Sequence, residues 1–103
     1  MKNDSYYMQK ALDLAQKGKG TTSPNPMVGA VVVKNDVIIG QGYHQYYGGP
    51  HAEVYALEEA GQEAKDAVLY VNLEPCSHYG KTPPCSRKII KAGISKVVIA
   101  MED

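Results

Sequence analysis

The sequence predicts a small layered α/β domain built on a mixed β-sheet. The first observation is a pair of β-branched-rich runs, at 28–33 and 37–42, separated by three residues that suit a tight turn. The second is the alternation of helical patterns and short apolar strands after residue 50, which implies crossover connections and parallel strands. The 103 residues correspond to one small domain or to a fragment of a larger one.

A first helix is predicted to begin at Asp4 or Ser5, because both residue types are good N-caps. Gly18 and Gly20 are expected to end it. The following segment, 21–26, contains two prolines in alternation and is predicted to be a loop. The apolar face of the helix recurs at i, i+3, i+4 and i+7, at Met8, Ala11, Leu12 and Ala15.

A β-hairpin is predicted next, from the two β-branched-rich runs. Asn35 and Asp36 lie between them and tolerate the positive φ that tight hairpin turns require. Gly29, inside the first run, indicates a close approach of the backbone to another part of the molecule.

The second half is predicted to alternate helices with buried strands. Gly61 and Gly93 are expected to end helices, and the pair Pro83 and Pro84 to open one. In chain order we expect a helix over 51–60, a strand over 68–71, a loop over 72–82, a helix from 83 and a strand over 97–100.

Charge and hydropathy restrict the classes of partner. The chain has 11 basic and 11 acidic residues, so it lacks the basic excess of a nucleic-acid-coating surface. No apolar run approaches the length of a membrane span, and the N-terminal residues lack the apolar segment of a signal peptide. Cys76 and Cys85 are therefore interpreted as cytosolic thiols in preference to a disulfide. We expect a cytoplasmic protein that binds neither nucleic acid nor membrane.

Three short segments carry the residues of a catalytic zinc site. His51 lies at a predicted helix start, Cys76 at a strand end and Cys85 at a second helix start. These residues would supply the three protein ligands of a catalytic zinc, which keeps a fourth position open. Glu53 is placed to move a proton between a zinc-bound water, which is the nucleophile, and a leaving amine. This order is typical of zinc deaminases, although here eight residues rather than two separate the cysteines.

Each of these residues also has a simpler interpretation. A lone histidine at a helix start is often a cap or a surface residue, and an isolated cysteine is often a small core residue. A closed structural zinc site could take His44 or His78 as its fourth ligand, and a non-catalytic fragment could fold around its metal. Glu53 favours the catalytic interpretation, because a structural site has no use for a carboxylate beside an open coordination position.

Four motifs resemble the deaminase domain of the bifunctional riboflavin-biosynthesis deaminase/reductase, a member of the cytidine-deaminase-like superfamily. The lengthened spacing between the cysteines is the most specific of them, and the similarity runs through nearly all of the chain. The motifs are Pro24-Asn25-Pro26-Met27-Val28-Gly29, Gly42-Tyr43-His44, Gly49-Pro50-His51-Ala52-Glu53 and Glu74-Pro75-Cys76-Ser77-His78-Tyr79-Gly80-Lys81-Thr82-Pro83-Pro84-Cys85.

The resemblance implies a fold, a reaction and a domain arrangement. The fold would be the three-layer cytidine-deaminase-like α/β fold, with a mixed sheet of an N-terminal hairpin plus parallel strands flanked by helices. The reaction would be hydrolytic deamination of 2,5-diamino-6-ribosylamino-4(3H)-pyrimidinone 5′-phosphate. Residues 1–103 would form the zinc-dependent deaminase domain without its C-terminal part, in a homo-oligomer. The reductase domain that normally shares the chain would be absent, and with it the NADPH cofactor.

The resemblance also implies a role for each site residue. His51, Cys76 and Cys85 would bind one Zn²⁺ per chain, and Glu53 would be the proton shuttle. The substrate contacts would come from Asn25, His44, His78 and Lys81, with His78 and Lys81 on the ribose phosphate side.

Some of these roles have alternatives. Asn25 can match the donors and acceptors of a heterocycle edge, but it also suits a turn between prolines. Lys81 suits a phosphate but could be an ordinary solvated lysine, and His78 could be a loop histidine without a role. The same fold could also act on cytidine, deoxycytidylate or guanine, although the long cysteine spacing argues against this.

Overall fold

A computed structural model describes residues 3–18, 27–46, 49–73 and 86–101 of the protein. One four-stranded sheet lies at its centre, with the strand order β2-β1-β3-β4. In chain order, the elements are helix α1 (Asp4–Gln16), strands β1 (Gly29–Lys34) and β2 (Val37–Tyr43), helix α2 (Ala52–Ala60), a short 3-10 helix (Gly61–Ala64), strand β3 (Val68–Leu73), helix α3 (Ser86–Ala92) and strand β4 (Lys96–Met101).

The sheet is mixed, as predicted. Strand β1 pairs antiparallel with β2 on one side and with β3 on the other. Strand β4 pairs parallel with β3, so the connection that contains α3 is the expected crossover. The predicted combination of a hairpin with a later parallel pair is therefore confirmed.

The hairpin turn consists of Asn35 and Asp36, with φ of 53° and 63°. Positive φ at both central residues is the geometry that matches the twist of two antiparallel strands, and Asn and Asp accept it more readily than most residues. Lys34, which the sequence placed in the turn, is the last residue of β1. The register shifts between Val32 and Val33, so β1 carries a bulge next to the turn.

Two helical layers cover the two faces of the sheet, which confirms the three-layer fold. One face packs against α1, and the other packs against α2 with side chains from α3. The alternation of β1 divides its side chains between the layers: Val31 and Val33 lie on the α1 side, while Ala30 and Val32 lie on the α2 side.

Glycines allow both helices to lie very close to the sheet. A Cβ atom on Gly29 would overlap the backbone carbonyl of Ala11 in α1, so the predicted close approach at Gly29 is confirmed. On the other face, a Cβ on Gly42 would lie 2.7 Å from the carbonyl oxygen of Ala52, at the start of α2. Strand β2 therefore supports the first turn of α2 directly.

The boundaries of α1 and β3 differ from the predicted ones. Helix α1 is capped by Asn3, whose side chain accepts from the Tyr6 N–H at 3.0 Å, and not by Asp4 or Ser5. The helix ends at Gln16, before Gly18, because Lys17 already forms the C-cap. Strand β3 continues two residues beyond the predicted 68–71, because its parallel pairing with β4 extends to Leu73.

The remaining boundaries differ by fewer residues. Helix α2 begins at Ala52, with His51 as its N-cap, and Gly61 has a φ of 57° where the helix gives way to the 3-10 turn. Strand β4 extends the predicted 97–100 by one residue at each end. The predicted opening of α3 at Pro83 and Pro84 lies outside the described residues.

Candidate active site

The N-terminus of α2 carries two of the predicted site residues, His51 and Glu53. His51 is the N-cap residue, with extended backbone angles, and its side chain makes no capping hydrogen bond. The ring is therefore not used as a helix cap, which was one of the simpler interpretations. The residue is half-buried, and the Nδ1 atom of its ring is shielded from solvent.

Glu53 is a buried carboxylate in the first turn of the same helix. Only 1% of the residue is exposed, although glutamate is rarely buried to this extent. The first turn of a helix carries partial positive charge from its unpaired N–H groups, and this stabilises a negative side chain there. Burial of a carboxylate costs free energy, so a glutamate that is buried in this first turn indicates a chemical use.

His44 follows β2 and is also almost fully buried, with 1% exposed. Its backbone N–H donates to the Val28 carbonyl at 2.9 Å, and its Nδ1 lies 3.0 Å from the Pro50 carbonyl oxygen. Because a carbonyl oxygen only accepts, Nδ1 carries the hydrogen in this contact. In the neutral ring, Nε2 is then left as an acceptor.

The rings of His44 and His51 form an edge-to-face pair, with centroids 5.8 Å apart and an interplanar angle of 90°. Burial lowers the pKa of His51 below 6.5, and the neighbouring His44 lowers it further, since two nearby cations repel each other. A neutral imidazole is the form that binds a metal ion. The geometry therefore favours the ligand form of His51.

Five of the predicted site residues lie outside the described ranges: Asn25, Cys76, His78, Lys81 and Cys85. Their predicted roles remain predictions. Within the ranges that are described, no three His, Cys, Asp or Glu side chains come together as a metal site. The structure thus pairs the rings of His44 and His51, places Glu53 in the first turn of the helix that begins after His51, and leaves the full ligand set untested.

One polar residue near the site was missed by the sequence analysis, which placed it in a loop. Asn72 lies in β3, with only 3% exposed. Its Oδ1 accepts from the Gly29 N–H at 2.7 Å, and its Nδ2 donates to the Met27 carbonyl at 3.3 Å. The available signal was an amide residue directly after the apolar run of a buried strand, where a polar side chain needs specific partners.

Residues 1–101 match the family model described as the cytidine and deoxycytidylate deaminase zinc-binding region. The chain belongs to the cytidine and deoxycytidylate deaminase family. The predicted membership of this deaminase superfamily is therefore confirmed, and the zinc-binding description is consistent with the predicted cofactor.

Within this deaminase family, the chain is similar to riboflavin biosynthesis proteins. The riboflavin biosynthesis protein RibD of Escherichia coli (strain K12) is 59% identical over 100 residues, which are 97% of this chain and 27% of that protein. RibD of Acinetobacter baumannii has a TM-score of 0.85 at 54% identity and is matched by 97% of this chain over 28% of its own length.

A third relative has a name that states its reactions. It is the diaminohydroxyphosphoribosylaminopyrimidine deaminase/5-amino-6-(5-phosphoribosylamino)uracil reductase of Thermotoga maritima, with a TM-score of 0.81 and 50% identity over 96% of this chain and 30% of that one. The chain thus spans about 27% to 30% of the length of these three relatives. The predicted resemblance to the riboflavin-biosynthesis deaminase is confirmed.

Among the residues that the structure describes, no helix has the length and apolar character needed to cross a membrane.

Proposed function

We propose that this deaminase domain hydrolyses the exocyclic amine at ring carbon 2 of 2,5-diamino-6-ribosylamino-4(3H)-pyrimidinone 5′-phosphate, a step of riboflavin biosynthesis. The observation that carries the proposal is the buried carboxylate of Glu53, two residues after His51 at the N-terminus of α2. The riboflavin-biosynthesis relatives, at 50% to 59% identity, indicate the substrate class. In this reaction water adds to carbon 2 and the amine leaves as ammonia.

The donor set fits a catalytic zinc ion. His51, Cys76 and Cys85 would hold the ion through one neutral imidazole and two thiolates, and the lowered pKa of His51 agrees with this role. A bound zinc would supply Lewis acidity, which can lower the pKa of water to about 7. The roles of the two cysteines rest on the order and spacing of the motif.

Glu53 would move the protons that the reaction requires. Its carboxylate accepts a proton from the attacking water and delivers a proton to the departing amine, so that ammonia leaves as a neutral molecule. A carboxylate that is shielded from solvent returns the proton to the amine instead of exchanging it with bulk water. The near-complete burial of Glu53 supports this role.

The described part of the site would contribute one substrate contact. His44, with Nδ1 directed to the Pro50 carbonyl, would present Nε2 as an acceptor to an N–H group of the pyrimidinone. Asn25, His78 and Lys81 would complete the contacts, with His78 and Lys81 toward the ribose phosphate. These assignments rest on the resemblance.

The test is ammonia release by the zinc-loaded protein, with cytidine, deoxycytidylate and guanine measured in parallel. We expect turnover of the diaminopyrimidinone ribose phosphate alone. Turnover of another base only would retain the deaminase mechanism and overturn the riboflavin assignment. Zinc-loaded protein that releases ammonia from none of the four would contradict the proposed activity of this domain.

A substitution of Glu53 tests the proton shuttle. Glu53→Gln keeps the size of the side chain but removes its basic group, so kcat should fall by at least about a hundredfold while bound zinc is retained. The matched control is Glu58→Gln, an exposed carboxylate on the same helix, which should leave kcat unchanged. Steady-state kinetics and metal analysis of both variants make the comparison, and retained turnover in Glu53→Gln would remove Glu53 from the mechanism.

A further inference from the structure

A polar cleft lies along the outer edge of β2, between helices α1 and α2. Its volume is about 260 Å³. Helix α1 contributes Leu14 and Lys17 to one wall, helix α2 contributes Tyr55 and Glu59 to the other, and residues 41–43 of β2 lie between them. None of the predicted site residues that the structure describes lines this cleft, so it is a separate feature of the molecule.

Part of the β2 backbone faces this cleft. The Gln41 N–H donates to the Glu59 carboxylate at 2.9 Å, away from β1. Three residues later, the His44 N–H donates in the opposite direction, to the Val28 carbonyl next to the start of β1. Because the backbone groups of successive strand residues alternate in direction, the N–H and C=O groups of Gln41 and Tyr43 both point away from β1. These are the groups that an edge strand offers to an additional strand.

The charges in the cleft suit a neutral main chain better than a small anion. Lys17 and Glu59 carry opposite charges, which cancel formally among the described lining residues. Burial raises the pKa of Tyr55, and the nearby Tyr46 and Glu58 raise it further, so a second negative charge at this wall would be unfavourable. An extended peptide carries no charge on its main chain and offers N–H and C=O groups in alternation.

The two walls also indicate which side chains such a peptide would carry. Side chains of an added strand alternate between the two faces of the sheet. Those on the α1 face would meet Lys17, and those on the α2 face would meet Glu59. An acidic residue followed directly by a basic residue therefore complements the charges of the cleft.

We propose that the outer edge of β2 binds an extended peptide segment with adjacent acidic and basic residues, as a fifth strand beside the four described ones. In the complex, a peptide carbonyl takes the place of the Glu59 carboxylate at the Gln41 N–H. The released carboxylate pairs with the basic side chain of the peptide, and Lys17 pairs with the acidic one. The inference goes beyond the proposed deamination and does not depend on it.

The probe is the capped hexapeptide TVEKVT, in one-letter code, whose β-branched residues favour the extended conformation. Its titration into the full chain, followed by heteronuclear NMR, gives a Kd and identifies the backbone amides that respond. We expect the amide signals of Gln41 and Tyr43 to shift. The same peptide N-methylated at alternate residues, which cannot form the main-chain hydrogen bonds, should bind at least about tenfold more weakly. Absence of binding, or equal binding of the methylated peptide, would overturn the proposal.

A matched pair of variants tests the backbone contact. Gln41→Pro removes the N–H that points away from β1, and proline is tolerated on edge strands in this orientation. Its Kd for TVEKVT should rise at least about tenfold, whereas Gln41→Ala retains the N–H and should bind like the unmodified protein. An unchanged Kd in a folded Gln41→Pro variant would contradict the proposal. If that variant does not fold, the methylated peptide decides instead.

The charged contact is tested on α1. Lys17→Gln should weaken the binding of TVEKVT but not of TVQQVT, a peptide in which both charged residues are replaced by glutamine. Lys10→Gln, on the same helix but outside the cleft, is the control and should affect neither peptide. Equal loss for both peptides would overturn the assigned charge pairing. A dimer that forms without peptide and is lost in Gln41→Pro would make a second copy of the chain the occupant and overturn the proposal.

Discussion

Two tyrosine hydroxyls on the α1 side of the sheet donate hydrogen bonds to carboxylates from distant parts of the chain. Tyr7 donates to Asp36 at 2.5 Å, and Tyr70 donates to Asp4 at 2.6 Å. Their rings lie 5.3 Å apart, between α1 and β3. The Tyr70 bond connects β3 to the first residue of α1, and the Tyr7 bond connects α1 to the hairpin turn.

The hydrogen bond of Tyr7 makes the fold less stable at alkaline pH than at neutral pH. Burial, and then the hydrogen bond to Asp36, raises the pKa of Tyr7 from 10.0 to about 12. A raised folded-state pKa contributes stability that is fully present below the unfolded pKa. That contribution is lost as the pH rises from 10.0 to about 12, because the unfolded chain releases the proton first.

We therefore predict that the Tyr7→Phe variant loses less stability than the unmodified protein as the pH rises from 10.0 to about 12. The variant should have a lower Tm than the unmodified protein below pH 10.0, and the difference should shrink as the pH approaches 12. Thermal unfolding followed by circular dichroism across this range provides the measurement. Tyr46→Phe, at an exposed position, is the control, and equal pH dependence in the two variants would contradict the prediction.

Individual residues also show where sequence reasoning reaches its limit. His51 and Glu53 could be predicted as neighbours because their spacing within one helical turn is a local property of the chain. The N-cap of α1 could not be selected by residue type alone, since Asn3, Asp4 and Ser5 are all good caps. The partners of Asn72 are 43 and 45 residues away, so no local pattern contains them.

At the scale of elements, α2 can lie directly against β2 because Gly42 has no side chain. A Cβ on Gly42 would lie 2.5 Å from the Cβ of Tyr55 and 2.7 Å from the Ala52 carbonyl oxygen. These are distances that real Cβ atoms do not adopt, and one of the obstructing atoms is backbone. A side chain at this position must therefore displace the helix that carries His51 and Glu53.

Gly42→Ala should consequently affect both stability and activity. We expect the free energy of unfolding to fall by about 1–3 kcal/mol, as for other overpacked sites, and ammonia release to fall with it. Urea unfolding and steady-state kinetics are the two measurements. Gln41→Ala, at the exposed neighbouring position of the strand, is the control and should change neither. If Gly42→Ala matched that control, the contact between β2 and α2 would not be as close as described.

Elements were predicted correctly where neighbouring residues determine the backbone conformation. Their ends were predicted less accurately where pairing with a distant strand determines them. The hairpin turn was predictable because Asn35 and Asp36 supply the required positive φ themselves. The end of β3 was not, because Asn72 and Leu73 are strand residues through their pairing with Ala100 and Met101 of β4. Gly18 was predicted to end α1, but the helix ends two residues earlier, at Gln16.

For the molecule as a whole, the two outer strands of the described sheet differ in how their edges are protected. On β2, the Gln41 N–H donates to the Glu59 carboxylate of α2 at 2.9 Å, so a side chain covers part of that edge. Strand β4, among the described residues, pairs with β3 alone. Val97 and Ile99, on one face of β4, are exposed to 38% and 46%. Exposed apolar side chains on an edge strand favour association with another chain.

Ile99→Thr should therefore reduce self-association of this chain with little effect on its fold. A β-branched replacement keeps the strand preference, so the free energy of unfolding should stay within about 0.5 kcal/mol. Light scattering over a concentration series measures the association. Val37→Thr, which alters an exposed residue at the opposite edge of the sheet, is the control. Equal self-association of the Ile99→Thr variant and the unmodified protein would show that this face does not drive association.

The strand order has a consequence for the growing chain during translation. Strand β1 ends at Lys34 and pairs with β2 almost at once, but its other neighbour, β3, begins only at Val68. At synthesis rates of about 5–20 residues per second, these 34 residues take about 2–7 s. During that interval one edge of the central strand has no partner, while helix α1, helix α2 and the 3-10 helix, which are all made before β3, can already cover its faces.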